Sequence, residues 1–351
     1  MKKLIAILIV VITVLSSVSV VTALERPTLT VDRAVRRALG NSEQISRLAD
    51  DVIIGEINGR EIRRKISEVN SEAGLLSLYV QLMMHDISRA FQHSERAIQV
   101  SIITQNVQEL FLAIINAEKA LEFLDRQISI ERQNLRFDRI RYEHGLLSVN
   151  DFDEARRRVQ NLELDRERLE TEINRAHRSL ISVVGGNRDT RYSVELDLDF
   201  APIKLRHLDY YVAAALGQNA NYLRKQRELE VGRYEFEMGS SRDDDDRTRR
   251  EILFHRDQRS IHQIRDDLIN SITDLYDQIR EQERSLTVMR ANFETMLAQL
   301  AINEALFEME RITQIELDSF LLGLDKARDE IRVAEARYTM MVQRILNPNL
   351  H

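Results

Sequence analysis

Between residues 100 and 128 the apolar side chains fall at Val100, Ile103, Val107, Leu110, Ile114, Ala117, Leu121, Leu124 and Ile128. The steps alternate between three and four residues throughout, which is the period of a helix packed along a seam on another helix. Punctuating residues are missing from 75 to 144, so the spacing predicts one helix of roughly 70 residues, or about 100 Å at 1.5 Å per residue. After Gly145 a second seam follows at Val159, Leu162, Arg166, Leu169, Ile173, Ala176, Leu180 and Val183, ending at Gly185-Gly186. The two predict a long antiparallel coiled-coil hairpin with its turn at Gly145. Upstream, 31–39 reads as a short helix closed by Gly40. Asn41 or Ser42 then caps a charged helix reaching Val69, and 70–74 is the first clear break.

The same layout is written again. Val35, Ala38, Leu39 and Gly40 recur with identical spacing at Val212, Ala215, Leu216 and Gly217. Leu135, Ser148, Phe152 and Asp153 are answered, again with identical spacing, by Leu300, Thr313, Leu317 and Asp318. The second charged helix runs to Met238 and breaks across 239–246. A second long helix, 248–310, carries Leu286, Met289, Phe293, Met296 and Leu300. After a kink at 311–314 the last helix carries Leu317, Leu321, Leu324, Ile331, Tyr338, Val342 and Ile345, and Pro348 stops it. Between the copies, 187–206 reads as a linker in which 192–200 alternates like a strand or extended strap. The fold class is therefore all-α: long antiparallel coiled-coil helices in two internal repeats, 24–186 and 207–351, with little or no β-structure. A hairpin that cannot bury its own stripe calls for repeats that pair.

Composition removes several functions. Zero Cys among 351 residues excludes disulfides, thiolate metal sites, thiol catalysis and a lipidated cysteine anchor. Lys2 and Lys3, an apolar run over 4–15 and Val21-Thr22-Ala23 form an export signal, 1–23, with cleavage after Ala23; the competing reading is an uncleaved anchor, since 4–21 is long enough to span a bilayer. Loss of Lys2 and Lys3 takes the formal charge from −7 to −9, which argues against nucleic acid as a partner.

Two motifs carry a family resemblance. Ala38-Leu39-Gly40-Asn41-Ser42 and Ala215-Leu216-Gly217-Gln218-Asn219 are similar to an Ala-Leu-x-x-Asn helix start. Residues 141–151 (Arg141, Tyr142, Gly145, Leu146, Ser148 and Asp151 among them) resemble an Arg-Phe/Tyr-x-x-Gly-Leu-x-Ser-x-x-Asp tip. The chain in this way resembles the TolC family of outer-membrane efflux channels over essentially all of 24–351. The resemblance implies a homotrimer whose protomers each give four helical strands to a hollow tube across the periplasm, associated with the outer membrane. It implies a periplasmic adaptor and an inner-membrane pump as partners, adaptor contact at Gly145, Leu146, Leu147 and Ser148, and no cofactor. Glu310 stands where Gly145 stands in the first copy. Glu316 matches an acidic position of the family's entrance constriction, with Asp318 close by; the alternative reading is that both are solvated or helix-N-terminal acids.

One departure matters. The family carries a β-hairpin between the charged helix and the long helix of each copy. Membrane strands need about 9–11 residues each, and the gaps at 69–74 and 239–246 are too short, the second being mostly aspartate. No barrel is encoded. Beside the first gap lie Leu75, Leu76, Leu78, Tyr79, Val80, Leu82, Met83 and Met84. Three readings are open for this apolar stretch: it dips into a membrane, docks on a separate outer-membrane barrel protein, or is a helix buried at the tube's end.

Catalytic chemistry has no residues in its favour. Eight His are scattered, and His85/His93 and His255/His262 share helix faces without a third ligand, so they read as solvated. The Asp243–Asp246 run lacks the Gly and distal Glu of a calcium loop. Arg166 within a seam pairs with an acid across the interface or faces a lumen. Gln105, Asn106, Gln108, Asn116, Gln127, Gln133 and Asn134 suit a wet lumen; without one, the rival is a solid coiled-coil spacer or tether of the envelope.

Overall fold

The computed structural model describes residues 26–188, 190–196, 200–238 and 244–350. The export signal, residues 239–243 of the predicted break and part of the 192–200 alternation lie outside them. Eight α-helices are present among the described residues: α1 (Val31–Asn41), α2 (Glu43–Glu68), α3 (Glu72–Glu143), α4 (Val149–Val184), α5 (Leu208–Gln218), α6 (Ala220–Met238), α7 (Asp244–Glu308) and α8 (Gln314–Ile345). A single 3-10 turn, Pro348–Leu350, follows. Of the alternating strap, Ser193–Glu195 (β2) forms a strand, pairing in parallel with Thr28–Thr30 (β1).

Helix ends follow the side-chain chemistry of the chain. Ser42, Ser71, Ser148 and Thr313 each accept a bond from a backbone N–H of the first helical turn of α2, α3, α4 and α8. Asn219 does the same for Tyr222 N at 2.9 Å, so both Ala-Leu motifs end in a capping residue.

The helices lie side by side. In one direction from mid-height the order is α2–α3–α6–α7, and in the other it is α4–α3–α8–α7. Away from mid-height, where α1 and α5 pack onto it, this is a wall one helix thick, with α3 about 110 Å long, whose free edges are α2 and α4 on one side and α7 on the other.

Two buried clusters sit at mid-height. Val107, Phe111 and Ile114 of α3 meet Leu180 of α4, Ala34 and Ala38 of α1 and Leu29 of β1. Ile272, Leu275 and Ile279 of α7 meet Tyr338 and Val342 of α8 and Tyr211 and Ala215 of α5. Each large side chain buried there contributes about 1.5–3 kcal/mol. Along the arms the seams are thinner: Ile128, Val159, Ile173 and Leu324 are buried, while Leu121, Leu124, Leu162 and Leu169 are half-covered.

The charged helix α2 has a seam that its composition hides. Its covered positions are Ile45, Leu48, Val52, Gly55, Gly59, Ile62 and Ile66, with Val69 just beyond, in steps of three and four. Two glycines at the centre of the stripe interrupt the apolar pattern. They also let α3 come close: a Cβ on Gly59 would lie 2.6 Å from His85 Cε1. His85 is accordingly no solvated histidine, and neither is His177, which is 2% exposed between α3 and α4.

Candidate functional site

The two ends of the wall carry the residues singled out from the sequence. At the α3–α4 turn, Gly145 N donates to Tyr142 O at 2.9 Å and Leu146 N to Arg141 O at 2.7 Å, with Gly145 in the left-handed region at φ 70°. This is a Schellman close, which favours glycine. Ser148 Oγ accepts from Asp151 N and donates to Asp151 Oδ2, starting α4. Leu147 is half-covered and Leu146 is 71% exposed at the apex. Behind it the Tyr142 and Phe152 rings stack at 5.1 Å.

The α7–α8 turn repeats this backbone without the glycine. Glu310 N donates to Phe307 O and Arg311 N to Leu306 O, with Glu310 at φ 56°. A non-glycine residue there is strained. Glu316 closes a capping box with Thr313: Thr313 N donates to Glu316 Oε2 at 2.7 Å and Glu316 N to Thr313 Oγ1 at 3.2 Å. Hydrogen bonds from the Thr313 backbone and then its hydroxyl hold the Glu316 carboxyl below its ordinary value. Asp318 accepts from Gln314 Nε2 at 2.7 Å. One oxygen of each carboxylate is thus engaged by its own helix, as N-terminal acids are.

Between tip and middle, charge ties the helices together. Arg166 bonds Asp125 of α3 at 2.6 Å and Glu170 at 2.9 Å, so its partner is an acid across the interface. Arg126 of α3 meets Asp325 of α8 at 2.8 Å, joining the two hairpins. Asn106, Gln127 and Gln133 are exposed, but Gln108 is 7% exposed and its amide oxygen, like that of Asn116, has no hydrogen-bond partner. Gln108 therefore does not belong to a water-facing stripe, while Asn116 is half-covered. His177 has no hydrogen bond on either ring nitrogen, its Nε2 standing 3.5 Å from Glu118 Oε1. The His177 ring, with Arg26, keeps the Glu118 carboxyl low against the opposing effect of burial. No group of three His, Asp or Glu gathers among the described residues.

At the other end, α2 and α3 are joined by 69–71 alone, leaving no room there for a strand pair. Leu75, Leu76, Leu78, Val80 and Leu82 are half-covered; Tyr79, Met83 and Met84 are exposed. None is buried within the protomer. Helix α3 contains a segment long and apolar enough to cross a membrane by length and composition. Exposed apolar residues continue on α2 at Ile53, Ile54 and Ile57 and on α7 at Ile252 and Leu253.

No protein-family model and no curated relative matches this sequence. Solved structures do. The outer membrane protein VceC from Vibrio cholerae is 10% identical, with a TM-score of 0.62 over 92% of this chain and 97% of that one. A membrane protein from Pseudomonas aeruginosa is 11% identical, at 0.65 over 90% of each chain. The open-state MtrE outer membrane channel of Neisseria gonorrhoeae is 8% identical, at 0.60 over 92% and 90%. The chain has the TolC-like fold of these channels.

Proposed function

We propose that the chain is the passive, periplasm-spanning conduit of an envelope export system, without catalysis or cofactor, built from repeats 24–186 and 207–351 around the linker 187–206. The observation that carries this is the open wall. A layer one helix thick leaves the α2/α4 edge with Ile53, Ile54, Ile57 and Leu164 exposed and the α7 edge with Ile252, Val288 and Ile302 exposed. Two different edges that cover each other make a head-to-tail contact, and such contacts form a ring when the rotation between copies closes. In this reading three copies form the tube. Gly145, Leu146, Leu147 and Ser148 meet the adaptor of an inner-membrane pump, and Glu316 and Asp318 stand near the entrance. The protein is exported to the periplasm. The end around Leu75, Leu76, Leu78, Tyr79, Val80 and Leu82 approaches the outer membrane, where a separate barrel protein completes the path.

The test is the mass and end-on shape of residues 24–351 purified without detergent, by light scattering and negative-stain images. A trimer with a hollow end view is expected. A monomer, or a dimer without a lumen, overturns the conduit and favours a coiled-coil spacer. Ile53→Glu with Ile57→Glu is expected to shift the trimer to monomer while leaving helical content unchanged.

A further inference from the structure

The protomer already holds one contact between its two repeats, and that contact has a register. Helix α3 meets α8 through Arg126 and Asp325 at 2.8 Å, and Ser101 of α3 accepts from Asn347, just past α8, at 3.2 Å. Between these points Leu112 of α3 and Met340 of α8 line one groove, and Phe123 and Asp329 line the next. In the register that sets Asp153 on Asp318, α3 corresponds to α7 and α4 to α8. The open edges α7 and α4 are therefore the same two surfaces without their partners. Stacked repeats cover faces that neither repeat covers alone, and a second copy of the chain presents the matching face.

In that register Asp277 and Arg175 stand where Leu112 and Met340 stand in the internal contact, and Val288 and Leu164 stand where Phe123 and Asp329 stand. Because the helices are antiparallel, Arg178 falls on Asp274 one turn further along. Val288 and Leu164 are 58% and 53% exposed in the protomer. Arg175, Arg178, Asp274 and Asp277 are exposed and, among the described residues, have no ion pair within the chain. Other charges of the two edges are met by their own helices, Arg168 by Asp165 at 3.1 Å and Glu281 by Arg284 at 3.4 Å. Opposite charges and apolar side chains thus occupy matching positions on α7 and α4.

We propose that each copy docks its α7 edge on the α4 edge of a second copy in the register of its own α3–α8 contact. Asp277 and Asp274 then pair with Arg175 and Arg178 of the second copy, and Val288 packs on its Leu164. This rests on the ring of copies proposed for the conduit and adds which residues meet in it. The charges also fix direction. Helix α4 against α4 sets arginine on arginine and α7 against α7 sets aspartate on aspartate, so only the head-to-tail contact joins opposite signs.

The chain has no cysteine, so introduced pairs test the register in the whole mature protein. Gln160 and Ala291 are the exposed counterparts of Asp325 and Arg126 and carry no charge. Gln160→Cys with Ala291→Cys, treated with a short bismaleimide, is expected to give covalent dimers and trimers. Gln160→Cys with Asn270→Cys, displaced by about 30 Å along α7, is expected to give neither. Asp277→Arg is expected to raise the concentration at which the trimer half-dissociates by about tenfold, and Arg175→Asp added to it is expected to restore the wild-type value. A wild-type trimer whose 160/291 pair does not link overturns the register and leaves the ring standing. A wild-type monomer in light scattering overturns both. A charge-swapped double variant no tighter than Asp277→Arg alone overturns the pairing of Asp277 with Arg175.

Discussion

The two helical hairpins at the end away from the tips are closed by opposite means. In α2 two glycines open a notch that His85 of α3 fills. The register that sets Gly40 on Gly217 puts Gly232 of α6 at the place of Gly55 and Phe236 at the place of Gly59. Phe236 stacks on Phe254 of α7, rings 5.8 Å apart and 8° from parallel. One hairpin gains contact by letting backbones approach, the other by filling the gap with aromatic area. A wall needs only that facing residues sum to the right volume.

At mid-height the halves agree. In the register that sets Asp153 on Asp318, Ile114 corresponds to Ile279 and Val107 to Ile272, and all four are fully buried or within 1% of it. Truncation there has the largest expected effect. Ile114→Ala and Ile279→Ala should each lose about 2–5 kcal/mol in urea unfolding and should agree with one another within about 1 kcal/mol. A cost below about 1 kcal/mol for either shows that only one half carries a true core.

The outer hairpins should part company. Gly59→Ala drives a methyl into the His85 ring and is expected to cost about 1–3 kcal/mol. Gly232→Ala meets nothing within 4 Å and is expected to gain about 0.5–1 kcal/mol from helix propensity alone. Matching signs in thermal unfolding would remove the contrast between the two ends.

Legibility in the sequence follows from what each pattern advertises. The long seams, the cap at Asn41 or Ser42 and the Gly145 turn are readable because each is a local rule with few competitors. The α2 seam is hidden because Gly55 and Gly59 occupy seam positions without being apolar, although glycines one helical turn apart are the signal of a close helix approach. A lone histidine shows nothing of its surroundings, so His177 reads as solvated when taken by itself. Its counterpart in the second repeat, in the register of Asp153 and Asp318, is the buried Val342, and that comparison places it inside. Gln108 passes for a lumen residue for the same reason. Tyr79 and Ile53 stay exposed in the protomer, and no pattern within the chain says why.

The tips offer a finer contrast. Gly145 and Glu310 share one backbone conformation, and nothing crowds the Gly145 Cβ position, so only φ separates the residues. Gly145→Ala is expected to cost about 1 kcal/mol and Glu310→Gly to gain about 0.5–1 kcal/mol. If Glu310→Gly destabilises the chain instead, the carboxylate does something at that turn that the backbone does not explain.

The smallest effect concerns the cap beside that turn. The Glu316 carboxyl is held low by bonds from the Thr313 backbone and hydroxyl. A carboxyl with a depressed folded value adds stability that is fully present above the ordinary carboxylate range and is lost as the pH falls through the depressed value. Glutamine at this position still accepts from Thr313 N, because Glu and Gln both complete a capping box. Glu316→Gln therefore removes the charge and keeps the geometry. The variant should melt slightly below the wild-type chain at pH 7, and the gap should close as the pH drops toward 3. A gap that stays constant with pH means that the lost contact is not electrostatic, and the α8 cap then stands on the Thr313 hydroxyl alone, as the α4 cap stands on Ser148.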